Sequence, residues 1–246
     1  MIKRQTAIFR EARSVPSFWA VRFEVEFPPA PGRFMLADLG GPLREVLFPA
    51  AGDAEGFTVW APPRHPVTQL LPGAPVDMLG PLGRGFRLGG AQRLLLVAEA
   101  AQLPPLLPLL EAAPAVVLII EAPTRALLPP ASRFPPTVEL HLITQDGSAG
   151  QAGTLENCHD GVSPLDDLLK WAEQVCCSCD PLRYPALASR VRRVRLAPRA
   201  DFAQALVLAD MPCGVGACDV CRVKTRHGER HACVEGPVFD LLELSV

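Results

Sequence analysis

Residues Val21 to Phe27 alternate apolar and charged (Val-Arg-Phe-Glu-Val-Glu-Phe), which predicts a half-buried strand with one apolar face. Shorter apolar runs at Phe34 to Ala37, Phe57 to Trp60 and Val76 to Leu79 predict further strands, divided by turns such as Pro31-Gly32 and Pro72-Gly73. Short strands at this spacing predict a small antiparallel β-barrel over residues 1–89. From Gln92 the rhythm changes. Leu94 to Ala98 and Val116 to Glu121 are continuous apolar runs, as expected of parallel strands covered on both faces, and Val138 to Ile143 reads as a third such strand. Gln174 to Cys177 reads as a fourth. Leu106 to Ala112 is the expected crossover helix. Ser163-Pro164-Leu165-Asp166 reads as a helix start, with Leu165, Leu168, Leu169 and Ala172 on one face. Strand–helix alternation predicts an open parallel α/β domain of nucleotide-binding type over residues 90–200. A small C-terminal segment, 201–246, completes the expected β plus α/β architecture.

Composition narrows the class. Of the 246 residues 49% are hydrophobic, ample for a core, and the net charge of −2 gives no basic face for nucleic acid. Arg190, Arg192, Arg193, Arg195 and Arg199 form a local exception, expected to be a solvated segment or partner surface. No apolar run is long enough for a signal peptide or membrane span. Eight cysteines, four of them at a metal-type spacing, then predict a reducing cytoplasm. The 27 prolines limit the entropy of the unfolded chain wherever their φ is acceptable. No Ser/His/Asp or paired-carboxylate arrangement supports hydrolysis.

The chemistry lies near the C-terminus. Cys213, Cys218, Cys221 and Cys233 follow C-x4-C-x2-C and then a fourth cysteine after eleven residues, the plant-type [2Fe–2S] pattern. Two irons bridged by two sulfides need four thiolates, three of them from one loop wrapped over the core. Gly214 and Gly216 allow that loop φ > 0 and a close approach, with N–H groups aimed at sulfur. A structural zinc site is the rival, because Cys218-x2-Cys221 and His227-x3-His231 have zinc-ligand spacing. Only five residues separate those pairs, however, and Cys213 and Cys233 would be left over. His227 and His231 are expected on a solvated hairpin. Cys158, Cys176 and Cys177 read as buried free cysteines.

The segment Met211-Pro-Cys-Gly-Val-Gly-Ala-Cys-Asp-Val-Cys221, with Val223-Lys-Thr225 and Cys233-Val-Glu-Gly-Pro-Val-Phe-Asp240, resembles the electron-transfer subunits of two-component, NAD-linked dihydroorotate dehydrogenases. Gly80-Pro-Leu-Gly83-Arg-Gly-Phe86 resembles that family's turn leaving the barrel. Thr144-Gln-Asp146-Gly-Ser148 resembles its acidic loop after the third parallel strand, and Cys179-Asp-Pro181 stands where the family has Cys-Gly-Pro. The resemblance implies FAD between barrel and α/β unit, NAD(H) at the α/β unit, and a cluster relaying single electrons to the FMN of a separate catalytic subunit, as a hetero-oligomer. It implies cofactor-binding roles for Arg44, Gly80, Gly83, Asp146, Ser148 and Cys179, with Cys179 near the nicotinamide and flavin rings.

Three segments depart from the family pattern. Leu43-Arg44-Glu-Val-Leu-Phe-Pro49 keeps Arg44 but lacks the Pro and Ser of Arg-Pro-x-Ser. Ala61-Pro-Pro-Arg-His65 replaces Gly-x-Gly-Thr for the FAD diphosphate. Val97-Ala-Glu-Ala-Ala-Gln-Leu-Pro-Pro105 replaces a glycine-rich turn. Phosphates need free N–H groups and a close backbone, and these substitutions remove both, so weakened nucleotide binding is expected. Two other classes stay open: a scaffold or redox sensor that keeps a cluster without nucleotide, and a reductase subunit for a hydrogenase or glutamate synthase-like enzyme.

Overall fold

The computed structural model describes residues 2–15, 18–158 and 163–245. It divides into two compact units: Met1–Phe86 with Ala209–Arg222 and Arg230–Val238, and Arg87–Leu208 with Val223–Glu229 and Phe239–Val246.

The first unit carries strands β1 (Arg4–Val15), β2 (Phe18–Glu24), β3 (Phe34–Ala37), β4 (Glu45–Leu47), β5 (Ala51–Asp53), β6 (Gly56–Ala61) and β7 (Pro75–Leu82). They form one seven-stranded sheet in the order β4-β3-β7-β1-β2-β6-β5, with antiparallel pairing throughout its printed registers. β1 pairs with β7 through its first half and with β2 through its second. Arg10 is an extra residue where the register passes from Phe9↔Phe23 to Glu11↔Arg22, a bulge that sharpens the local twist. β4 and β5 stand at opposite ends of the sheet, yet only residues 48–50 join them. Four Cα steps reach about 15 Å at most, whereas six flat strand spacings would need about 29 Å. The sheet is therefore strongly curled. Among the described residues no ladder joins β4 to β5, so closure into a hydrogen-bonded barrel is absent from the pairing. The concave side holds Phe9, Phe23 and Phe57, with Phe23 and Phe57 stacked at 5.6 Å, against Met35, Met78 and Val59.

The second unit carries β8 (Arg93–Glu99), β9 (Ala115–Ala122), β10 (Val138–Thr144), β11 (Gln151–Ala152), β12 (Gln174–Ser178) and β13 (Ala203–Leu206), all parallel to their neighbours. Helix α1 is Leu165–Trp171 and α2 is Tyr184–Val194. A ribbon of β14 (Arg222–Thr225) and β15 (Gly228–His231) follows, and β16 (Val238–Asp240) takes the outer edge of the sheet, whose order is β11-β10-β9-β8-β12-β13-β16. Chain order reverses beside β8: the chain moves outward through β9 and β10, then returns to β12 on the other side. Leu94, Leu95, Leu96, Leu118, Ile119 and Ile120 are fully buried, as continuous apolar strands covered on both faces must be.

Two expectations are corrected. The crossover expected as a helix over Leu106 to Ala112 is a pair of 3-10 turns, Ala100–Gln102 and Pro104–Leu109. Pro104, Pro105 and Pro108 supply no N–H to an α-helical ladder. The arginines expected to be solvated are so only in part: Arg192, Arg193 and Arg199 are exposed, whereas Arg190 and Arg195 are half-buried and tie backbone carbonyls. Arg195 donates to the carbonyls of Leu169 (2.9 Å), Lys170 (2.8 Å) and Ala172, capping the end of α1. Arg190 holds the carbonyls of Leu155 and Glu156 (3.0 and 2.8 Å), and Arg192 that of Leu242 (2.7 Å). Ser163 does cap α1, its hydroxyl accepting from the Leu165 N–H (3.3 Å). No helix among the described residues is long and apolar enough to cross a membrane.

Candidate functional site

All four C-terminal cysteines lie in the first unit. Three stand on the irregular loop between β13 and β14, and Cys233 follows β15. Their side chains sort into two pairs. Cys213 lies beside Cys218, and Cys233 beside Cys221. The loop turns its N–H groups inward: Val215 donates to Cys213 Sγ (3.5 Å) and Gly216 to Cys233 Sγ (3.2 Å). Burial opposes ionisation of Cys213, but the N–H groups of Val215, Ala217 and Cys218 and the Cys218 thiol outweigh it, lowering its pKa to about 6. Cys233, deeper and beside Cys221, is pushed up to about 12 by burial and by that neighbouring thiol. Among the described residues no three His, Cys, Asp or Glu side chains converge as they would on a single ion. A two-iron core asks for a different arrangement, two thiolates per iron.

The surrounding sequence fixes this loop. Gly214 (φ +66°) lies against β3 and β7, where a Cβ would meet Leu36 Cδ1 at 2.7 Å and Leu82 Cδ1 at 2.8 Å. Gly216 (φ +73°) presents its N–H to sulfur in a conformation that side chains disfavour. Gly214→Val is expected to lower stability by about 1–3 kcal/mol through overpacking, with extra strain from the positive φ. A urea titration of the anaerobically purified variant checks it, and an unchanged midpoint would contradict the packing described. Asp219 and His231 pair across the site (Oδ1 to Nε2, 2.8 Å), holding the loop against β15. His227 sits on the exposed ribbon 3.3 Å from Glu243, as a hairpin residue rather than beside the thiols.

The residues singled out for nucleotide are engaged in internal contacts, and Arg44 and Gly83 line the clefts beside the cysteine loops. Arg44 pairs with the Asp77 carboxylate and donates to the Asp77 carbonyl (3.0 Å). At Ala61-Pro-Pro-Arg-His65 the following 3-10 turn consumes its own donors: Val67 N–H goes to His65 Nδ1 (3.2 Å) and Thr68 N–H to the His65 carbonyl (3.0 Å). With Pro62, Pro63 and Pro66 lacking N–H, this segment offers no diphosphate cradle. Gly80 packs on Met35, and Gly83 on Gly236 and Pro237. Asp146 and Ser148 form a self-contained turn, Ser148 Oγ donating to Asp146 (2.6 Å) and accepting from the Arg125 N–H (2.8 Å). Cys179 is fully buried, its thiol facing the Val97 carbonyl and burial raising its pKa well above the ordinary value. Cys176 and Cys177 are raised likewise, and Cys158 is also buried.

Sequence reasoning missed the apolar skirt of the cysteine loops. Val215, Val220 and Val234, each next to or between the cysteines, are 51%, 56% and 47% exposed. Val220 shares a cleft of about 390 Å³ with Leu43 and Met211, and Val215 and Val234 share one of about 330 Å³ with Ile2 and Cys233. Val215 two residues after Cys213, Val220 before Cys221 and Val234 after Cys233 were the available signal.

Residues 209–245 match the family model described as the iron-sulfur cluster binding domain of dihydroorotate dehydrogenase B. A probable dihydroorotate dehydrogenase B (NAD(+)) electron transfer subunit of Thermoplasma acidophilum is 28% identical over 238 residues, covering 95% of this chain and 86% of that one. The Bacillus caldolyticus electron transfer subunit is 34% identical over 185 residues, covering 70% of this chain and 66% of its own length, just under two thirds. The chain is a homologue of the dihydroorotate dehydrogenase B electron-transfer subunits. In structure, it is similar to a chain of an NADH-dependent reduced ferredoxin-NADP oxidoreductase, at TM-score 0.77 and 20% identity, over 97% of this chain and 89% of that one. A ferredoxin reductase of carbazole 1,9a-dioxygenase matches at TM-score 0.61 and 15% identity, over 83% of this chain and 68% of that one. The homologue therefore has the flavoprotein-reductase fold.

Proposed function

We propose that this chain is an iron–sulfur electron-transfer subunit that relays single electrons between a flavin-bearing donor and the FMN of a separate dehydrogenase acting on dihydroorotate. The observation that carries this reading is a loop that turns the Val215 and Gly216 N–H groups onto the sulfurs of Cys213 and Cys233, within the spacing of Cys213, Cys218, Cys221 and Cys233. On this reading those four thiolates hold a [2Fe–2S] centre, which supplies one-electron redox chemistry at a site built only from this chain. The protein's own contribution is electrostatic and steric. N–H donors from Val215 and Gly216 stabilise negative charge on sulfur, and the burial of Cys221 and Cys233 (each 1% exposed) excludes water from one side. The exposed valines give the other side an apolar surface, which brings a partner's redox group close to the thiolates without desolvating a charge.

In this scheme the curled sheet is the flavin-type barrel of the fold, residues 201–246 form the cluster-binding part, and the cytoplasm supplies the reducing conditions that thiolate ligation needs. The diphosphate-binding segments do not fit FAD, so no step is assigned to a flavin on this chain. Dithionite-reduced chain mixed with an oxidised FMN dihydroorotate dehydrogenase tests the relay. Stopped-flow absorbance is expected to show the cluster reoxidising while the partner's flavin is reduced. A reduced cluster that leaves the flavin oxidised would favour the scaffold or sensor class, and transfer only to another flavoprotein would favour a different reductase complex.

A further inference from the structure

We infer that the crevice at the carboxyl ends of the parallel strands, where this fold class seats a dinucleotide, is closed by an internal ion cluster centred on Arg183, so that this chain takes no hydride from NADH. In open parallel sheets the ligand crevice lies where chain order reverses, between loops that leave adjacent strands in opposite directions. Here that position is between β8 and β12, which end at Glu99 and Ser178.

Both loops are tied to each other. Glu99 accepts from the Asp180 N–H (2.6 Å) and from Arg183 Nη1 (2.8 Å), so one carboxylate spans the crevice. Arg183 then reaches the next strand end, donating to Glu121 (2.7 Å), and also to Glu156 (Nε, 3.0 Å). Glu121 is 2% exposed and accepts further bonds from the Leu155 N–H (2.7 Å) and Gln145 Nε2 (3.0 Å). Five chain segments thus meet on one guanidinium and its three carboxylates.

The chemistry is wrong for a pyrophosphate. Three carboxylates against one cation leave the crevice negative, and a dianionic linker is repelled there. The turn after β8 is Glu99-Ala100-Ala101-Gln102 followed by Leu103-Pro104-Pro105, with no glycine, no α-helix and no free helix N-terminus. Each N–H that faces the crevice from Leu155 and Asp180 is already bonded to a carboxylate. The hydride of NADH must then go to a flavin carried by another chain, and this chain receives electrons singly. That last step rests on the relay reading; the closed crevice does not.

Hydrogen exchange and calorimetry on the anaerobically purified full chain test the inference. The Leu155 and Asp180 amides are expected to exchange slowly without nucleotide and to be unchanged by millimolar NADH, with no saturable heat on titration. Arg183→Met is expected to speed their exchange about tenfold or more; if that variant does not fold, Glu99→Gln reads the same change at Asp180. Saturable NADH binding, or fast exchange that NADH slows, would overturn the closed crevice. Dithionite acts as the separate arm. Reduction of the cluster by dithionite but not by NADH supports the inference, and reduction by NADH alone overturns it. Absence of any reducible cluster would defeat the relay reading while the exchange data still judge the crevice.

Discussion

Replacing Cys221 by alanine is expected to abolish assembly of the iron–sulfur centre, with iron and acid-labile sulfide falling below about a tenth of the unmodified chain's content. Cys221 is 1% exposed, so a replacement ligand from solvent would have to enter a buried position. The loss should spread to stability, because binding free energy at a structural metal site is folding free energy, about 10 kcal/mol or more in small metal-built modules. Cys176→Ala provides the contrast. Its thiol is fully buried and raised by burial, which keeps it protonated and unavailable as a thiolate. That variant should keep its iron, its visible absorbance and its EPR signal after dithionite. Equal loss in both variants would show that iron content reports general unfolding rather than ligation.

Arg183→Met should cost about 3–5 kcal/mol, the usual penalty for removing one partner of a buried ion pair. The cost arises because Glu99, Glu121 and Glu156 would face one another without a cation, and Glu121 is almost wholly buried. The effect carries a pH signature. Burial works against ionisation of Glu156, but Arg183 outweighs it and holds the folded-state pKa below the ordinary 4.5. A depressed carboxylate pKa contributes stability that is present above the unfolded value and lost as pH falls through the folded one. In the variant the cation is gone, so this contribution is absent at every pH. Urea midpoints of the two proteins should therefore differ widely at neutral pH and converge as pH falls through the folded-state pKa of Glu156, which lies below 4.5. A gap that stays constant with pH would place the cost in lost packing of the arginine stem instead.

Much of this fold was legible because burial leaves a simple pattern. Phe34–Ala37 is a strand with the bounds its apolar run indicates, the unbroken runs around Leu95 and Leu118 mark β8 and β9, and the alternating Val138 to Ile143 marks β10. β1 escaped detection because the Arg10 bulge breaks its period of two and its outer face is dense with Arg and Glu. α2 was hidden by composition: its buried residues, Tyr184, Leu187, Ala188 and Val191, have helical spacing, but the surrounding arginines drew the eye. The cysteine spacing was legible, and residues 209–245 match the iron-sulfur family model. How β15 carries Cys233 back to the loop was not. The Arg183 cluster was least visible, because residues 99, 121, 156 and 183 come from separate elements. Its one sequence signal was a glutamate ending each of two apolar strands, Glu99 and Glu121.

The most direct measurement is the count of iron and acid-labile sulfide per chain in protein purified without oxygen. The account predicts about two of each, with a rhombic EPR signal after dithionite. A single metal ion without sulfide, or a metal-free chain with native stability, would contradict it.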